Sequence, residues 1–150
     1  MRHFKIYEAG KMSGLTHSEM NNWRVQLKNK LKELKNSRFL FDNYDLQIIN
    51  PVDFYNFEEI KHQSEKEIEE YDLAHVVSSD IIVVNLEGLN SSIGTIIELH
   101  DANYHRKIPV IAFGDRELYE QLHPWVKNNI TRVENDIEHV VEYIRNFYLI

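Results

Sequence analysis

Ile81-Ile82-Val83-Val84-Asn85-Leu86, the turn at Gly88, and then Ser91-Ser92-Ile93-Gly94-Thr95-Ile96-Ile97-Glu98 form the part of the chain from which its architecture can be read. Four successive β-branched apolar residues leave no polar face for water. The run therefore reads as a central strand of a parallel sheet, covered on both sides. Gly88 marks the turn that leaves it. In open sheets of this kind, ligands bind at the carboxyl ends of the strands. A serine-rich helix start placed there offers hydroxyls and free backbone N–H groups to an anion. Glu98 follows about one to two turns into that helix.

Working outward, Phe4 to Ala9 alternates as a strand. Gly10-Lys11-Met12-Ser13-Gly14 is a glycine-bracketed loop that lets backbone approach a ligand. Thr16-His17-Ser18-Glu19 fits a capping box, and Trp23, Leu27, Leu31 and Leu34 recur at helical spacing, which predicts a helix ending near Asn36. Leu46 to Ile49 is a second strand, stopped by Asn50-Pro51, and the polar segment to about Gln63 reads as loop with helical turns. Helices are expected over Glu65 to Ser79 and Ser92 to His105, with a strand from Ile108 to Phe113. A short helix from Arg116 to Leu122, a weak strand from Ile130 to Val133 and an amphipathic helix from Asp136 to Phe147 complete the pattern.

Strands alternating with helices imply right-handed crossovers and a parallel sheet covered on both faces. The expected class is α/β, a flavodoxin-like (Rossmann-like) three-layer sandwich with a five-stranded parallel sheet. In that order the first and third strands flank the switch point, so the Gly10 loop and the Ser92 loop face each other across one cleft.

With 150 residues and 43% hydrophobic content, the chain is expected to form one domain over 1–150. Its 17 basic and 24 acidic residues leave a net charge of −7, which argues against a nucleic acid polymer or an anionic membrane as partner. The absence of cysteine excludes disulfides, thiolate metal sites and cysteine catalysis. No apolar stretch approaches the roughly 18 residues a membrane helix needs, and a soluble cytoplasmic protein is expected. The eight histidines, His62, His75, His100 and His105 among them, are scattered, so neither a metal nor a cofactor is expected.

Two carboxylates stand out. Ile68, Asp72 and Val76 fall four apart and share a helix face, which puts an acid inside an apolar stripe. A desolvated acid near a second carboxylate is an arrangement that drives two pKa values apart. Glu98 has small neighbours on its own face, Gly94 and Thr95 before it and Ala102 after it, which leaves space beside the carboxylate.

These residues resemble the nucleoside 2-deoxyribosyltransferases and their nucleotide N-hydrolase relatives. The matching pieces are Lys5-Ile6-Tyr7-Glu8-Ala9-Gly10-Lys11-Met12-Ser13-Gly14, Ile49-Asn50-Pro51, Asp72-Leu73, the stretch from Ser79 to Leu86, and Ser92-Ile93-Gly94-Thr95 leading to Glu98. The resemblance implies that Glu98 attacks C1′ of a deoxyribose and displaces the base. It implies too that Asp72 handles the base and its protons, and that Tyr7 positions the nucleophile. Gly10, Met12, Ser13, Gly14, Asn50, Ser92 and Gly94 would surround a small-molecule nucleoside or nucleotide, with a free base as the other partner. The sugar then passes to another base or to water. Ser92 stands where transferases of the family often carry aspartate. A hydroxyl there suits a 5′-phosphate, so a monophosphate substrate and hydrolysis are favoured. Lys11 stands where many relatives carry proline. The resemblance further implies a homodimer or higher homo-oligomer whose neighbouring subunit completes the site, with 123–129 as the candidate segment.

Two other readings stay open. Gly94-Thr95-Ile96-Ile97-Glu98 is also similar to the glycine-threonine-x-x-glutamate of cytokinin-type phosphoribohydrolases, without their paired preceding glycines. From a different class, the chain could be a nucleotide-binding sensor that uses the cleft without turnover.

Overall fold

The computed structural model describes residues 2–34, 44–55 and 61–149. Strands β1 (Arg2–Ala9), β2 (Tyr44–Ile49), β3 (Ile81–Asn85), β4 (Val110–Phe113) and β5 (Arg132–Glu134) form one sheet in the order β2-β1-β3-β4-β5. Every neighbouring pair is parallel. This is the flavodoxin-like order, with the direction of winding reversing between β1 and β3.

Six α-helices are described: α1 (His17–Leu34), α2 (Glu65–Val77), α3 (Ile93–Leu99), α4 (Arg116–Glu120), α5 (Pro124–Lys127) and α6 (Ile137–Phe147). Alternation along the strands builds two separate cores. Ile6, Ile81 and Val83 pack with Leu27 and Leu31 of α1 and with Val140 and Ile144 of α6. Tyr7, Ile82 and Val84 point the other way, against Val76 of α2, Leu99 of α3 and Val126 of α5. Fully burying one such aliphatic side chain contributes about 1.5–3 kcal/mol, so each face of β3 is a strong constraint on register.

Helix starts follow local chemistry. The capping box before α1 is reciprocal: the Glu19 N–H donates to Thr16 Oγ1 at 3.2 Å, and the Thr16 N–H donates to Glu19 Oε1 at 3.1 Å. Ser64 caps α2, and Asp136 caps α6 through the His139 N–H.

Several bounds differ from expectation. The helix expected over Ser92 to His105 is α-helical only to Leu99 and then widens into a π-turn, His100–His105. Lys107, in the left-handed region at φ 60°, ends it. The last strand begins at Arg132 rather than Ile130, and the Thr131 N–H donates to the Val110 carbonyl at 2.8 Å as the chain enters the sheet. The 123–129 segment holds the short helix α5, with Pro124 at its first position. The expected end of α1 near Asn36 lies outside the described residues. No helix among those described is long and apolar enough to cross a membrane.

One polar pair lies inside the first core. Glu8 and Arg24 are both fully buried, at 0% exposure, and neither Glu8 oxygen has a hydrogen-bond partner among the described residues. Burial pushes the Glu8 carboxyl up to about 9, with Arg24 and Lys28 pulling down and Asp53 pushing up. The ordinary value is 4.5, so the folded chain holds this proton longer than the unfolded chain does. Glu8 therefore stabilises the fold fully below about pH 4.5, and that contribution declines as pH rises toward about 9. Urea denaturation across this window is expected to show falling stability with rising pH. Glu8→Gln, which mimics the neutral acid, flattens the decline.

Candidate active site

The switch point lies between β1 and β3, at whose carboxyl ends open sheets of this kind bind ligands. Tyr7 comes from β1, in register with Ile82 of β3 and Ile49 of β2, and is only 1% exposed. Because it faces the second core, its ring points toward α2 and α3, the helices that carry Asp72 and Glu98. The Tyr7 hydroxyl lies beside the Glu98 carboxylate, close enough to favour its charged form. Asp72 stands close enough for its charge to act on both. The three residues singled out in the sequence are thus brought together.

The electrostatics follow from enclosure. Burial pushes the Glu98 carboxyl up to about 8; the Tyr7 hydroxyl beside it holds it down, Asp72 pushes it further up, and Arg24 draws it down. Its Oε2 is enclosed, with no hydrogen-bond partner among the described residues. An unsatisfied buried acceptor is costly unless something else meets it. Burial raises Asp72 as well, opposed by a hydrogen bond from Tyr55 and by His75. Tyr7 and Tyr55 are both held above the ordinary phenol range by burial and by the carboxylates beside them.

Sequence reading missed Tyr55. Its hydroxyl donates to Asp72 Oδ1 from the residue after the 3₁₀ turn Pro51–Phe54. Phe54 stacks on His75 at 4.6 Å between centroids and meets the Tyr71 ring edge-on at 5.2 Å. A groove of about 350 Å³ opens beside this cluster, lined by residues that include Phe54, Tyr55, His62 and Tyr71. No periodicity in the sequence pointed to Tyr55, since it follows a proline turn.

The two loops do face each other. Lys11 Nζ donates to Ser91 Oγ at 3.0 Å, bridging the 10–14 loop to the turn after β3. Gly88 takes φ 70°, the left-handed region that favours glycine, and a Cβ there would lie 2.7 Å from the Lys11 side chain. Gly10 is required for space alone: a Cβ would fall 2.8 Å from Trp23 Cζ2. Met12 is half-buried, and Ser13 and Gly14 are exposed farther along the loop.

Ser92 precedes α3, but its hydroxyl does not cap the helix backbone. It pairs instead with Thr95 Oγ1 at 2.7 Å. Gly94 is exposed, with open space where a side chain would be. Asn50 is committed locally: its Oδ1 accepts from the Val52 N–H at 3.0 Å and its Nδ2 donates to Asn21 Oδ1 at 2.7 Å. No cluster of three or more His, Cys, Asp or Glu suited to a metal occurs among the described residues.

The sequence matches no protein-family model and no curated protein. Its fold is shared with solved structures. A conserved protein from Enterococcus faecalis superimposes with a TM-score of 0.72 at 20% identity, covering 96% of this chain and 98% of that one. A 2-deoxyribosyltransferase from Bacillus psychrosaccharolyticus gives 0.63 at 18% identity, over 93% and 91%. A molybdenum cofactor binding protein from Rippkaea orientalis gives 0.53 at 17% identity, over 97% and 98%. These likenesses establish the fold, and one of the proteins that share it acts on deoxyribosyl compounds.

The Tyr55 contact makes a direct prediction. A hydroxyl donated to a carboxylate favours its charged form, so Tyr55→Phe should move the Asp72 titration upward, read from its carboxyl carbon by NMR. An unmoved or lowered midpoint would remove Tyr55 from the site.

Proposed function

We propose that the chain cleaves the N-glycosidic bond of a nucleoside or its 5′-monophosphate, with Glu98 as nucleophile. The observation that carries this reading is an enclosed carboxylate, oriented by Tyr7 and paired electrostatically with a second acid, at the sheet's ligand-binding edge. The fold shared with a 2-deoxyribosyltransferase supports it.

In this reading a Glu98 oxygen forms a bond to C1′ as the C1′–N bond breaks. The bonding pair goes to the base nitrogen, and Asp72 delivers a proton to the departing base. Cleavage passes through an oxocarbenium-like state that the adjacent carboxylate stabilises and then captures as an ester. Water or a second base attacks C1′ next and gives its proton to the Asp72 carboxylate, as the C1′–O bond to Glu98 breaks and its pair returns to the Glu98 carboxylate. Tyr7 keeps Glu98 oriented throughout, and Tyr55 holds Asp72. Gly10, Met12, Ser13, Gly14 and Gly94 shape the cleft, with Asn50 supporting it from behind through Asn21. Lys11, Ser91 and Ser92 form a cationic, hydroxyl-bearing rim that suits a 5′-phosphate, which favours a monophosphate and hydrolysis. The resemblance also points to a homo-oligomer. Ile93, Ile97 and Tyr104 leave large apolar surface exposed along the helix that carries Glu98, and Trp125 of α5 is 79% exposed.

A second reading, small-molecule binding without turnover, is favoured by the same fold serving a molybdenum cofactor binding protein. Chromatography of each nucleoside and monophosphate, with and without a different free base, separates the two. Released or exchanged base supports the enzyme, whereas bound ligand with no released base supports the carrier.

The acid pair sets the expected pH dependence. The competent state has Glu98 ionised and Asp72 protonated, so the pair carries one proton. kcat/KM is then expected to fall as pH rises through about 8, where the last proton leaves. Asp72→Asn removes the second acid and is expected to cost about 10²–10⁴-fold. It also inverts that limb, because only the ionisation of Glu98 then remains. Glu98→Gln is expected to lower base release by about 10³-fold or more with the fold intact. Turnover at the wild-type rate in that variant overturns the assignment.

A further inference from the structure

Behind the site, on the other face of β1, Arg24 occupies an unusual place for a guanidinium. It is fully buried, and each of its three nitrogens donates to backbone: Nε to the Glu8 carbonyl at 3.1 Å, Nη2 to the Gly10 carbonyl at 3.1 Å, and Nη1 to the Met20 carbonyl. Its Cζ lies 4.5 Å from the Trp23 ring centroid, so the fork is held from the side as well. Among the described residues no carboxylate bonds to it. Burying an arginine merely to satisfy three carbonyls is expensive, since a charge is left without a directly paired counter-ion.

The position of those carbonyls suggests what it does. Glu8 and Gly10 flank Ala9, the last residue of β1. One strand position before Glu8 is Tyr7, which holds Glu98, and Gly10 opens the loop that faces Ser91. The same contact explains why position 10 is glycine: a Cβ there would lie 3.3 Å from Arg24 Nη2 as well as against Trp23.

We propose that Arg24 is a positioning residue for Glu98: its enclosed guanidinium, bonded to the carbonyls of Glu8, Gly10 and Met20, fixes the end of β1 and the 10–14 loop and places a positive charge behind Tyr7 and Glu98. The groups that act electrostatically on Glu98 are Tyr7 from β1, Asp72 from α2 and, from the other side of β1, Arg24 of α1; Glu98 in turn acts on Tyr55, from the turn after β2. Among the described residues Arg24 is the cation whose field acts on Glu98, and it favours the carboxylate. Glu8, the acid nearest to it in effect, stays protonated below about pH 9 and so does not cancel that charge. The ionised Glu98 needed for attack on C1′ is thus supported from across the sheet; this role in turnover rests on the reading in the preceding subsection.

Two variants test it. Arg24→Met removes charge and fork together, and the Glu98 carboxyl carbon, identified by its loss in Glu98→Gln, is expected to titrate about half a pH unit or more higher. Arg24→Lys keeps a cation but replaces the planar fork with one ammonium, so it retains the fold if the methionine variant does not. It is expected to speed amide hydrogen exchange at Gly10 and to lower kcat by about 10²-fold with KM little changed, the signature of a displaced nucleophile. An unmoved Glu98 midpoint in folded Arg24→Met overturns the proposal. So do wild-type exchange at Gly10 and wild-type kcat in Arg24→Lys. If the wild-type protein releases no base from any substrate, the enzymatic reading fails. The titration and exchange measurements still decide whether Arg24 positions Glu98.

Discussion

The contact between the Tyr7 hydroxyl and the Glu98 carboxylate joins β1 to α3 at the point where the sheet reverses its winding. Everything else in the site is arranged around it. Tyr7 can reach Glu98 only because strand alternation turns it toward the second core, and only because β1 lies beside β3 in register, with Tyr7 opposite Ile82. A slip of one residue would put Glu8 there instead and send Tyr7 toward α1. The two apolar cores are therefore also what aims the functional groups.

Enclosure does the chemical work. In water Glu98 and Asp72 would both be ionised at neutral pH. Packed against the sheet, both are raised, and Glu98 is carried to about 8. Two acids in different surroundings, one held by Tyr7 and the other by Tyr55, can divide one proton between them. On the opposite face burial likewise disfavours charge: it raises Glu8 to about 9 and draws Arg24 below the ordinary arginine value, while the acids around Arg24 oppose that fall. These are differences of environment between residues of identical chemistry.

How much of this was legible in the sequence depends on whether a residue's role follows from periodicity. The apolar run at β3 and the alternation in β1 follow directly from what a covered strand requires, and the strand order follows from the alternation of elements. Asp72 was visible as an acid in an apolar stripe, and Glu98 as a carboxylate with small neighbours. Arg24 left a similar trace, since Met20, Arg24, Leu27 and Leu31 are the buried stripe of α1, but a lone arginine in such a stripe does not say which carbonyls it will meet. Tyr55 left none, because it lies beyond a proline turn where no repeat applies. Ser92 had the right place for a cap, yet its hydroxyl satisfies Thr95, a choice between near-equal partners that spacing cannot make. The π-turn after α3 escaped for the same reason: a shift from four- to five-residue hydrogen bonds leaves the hydrophobic pattern almost unchanged.

The central claim is that Glu98 takes the sugar. Its most direct test is acid quenching on the millisecond scale during reaction with a nucleoside or monophosphate that releases base, followed by peptide mass spectrometry. The account predicts one glycosyl group, with its phosphate where the substrate carries one, on the peptide holding Glu98 and localised to that residue. An adduct on any other residue, or a burst of released base with Glu98 unmodified, contradicts it.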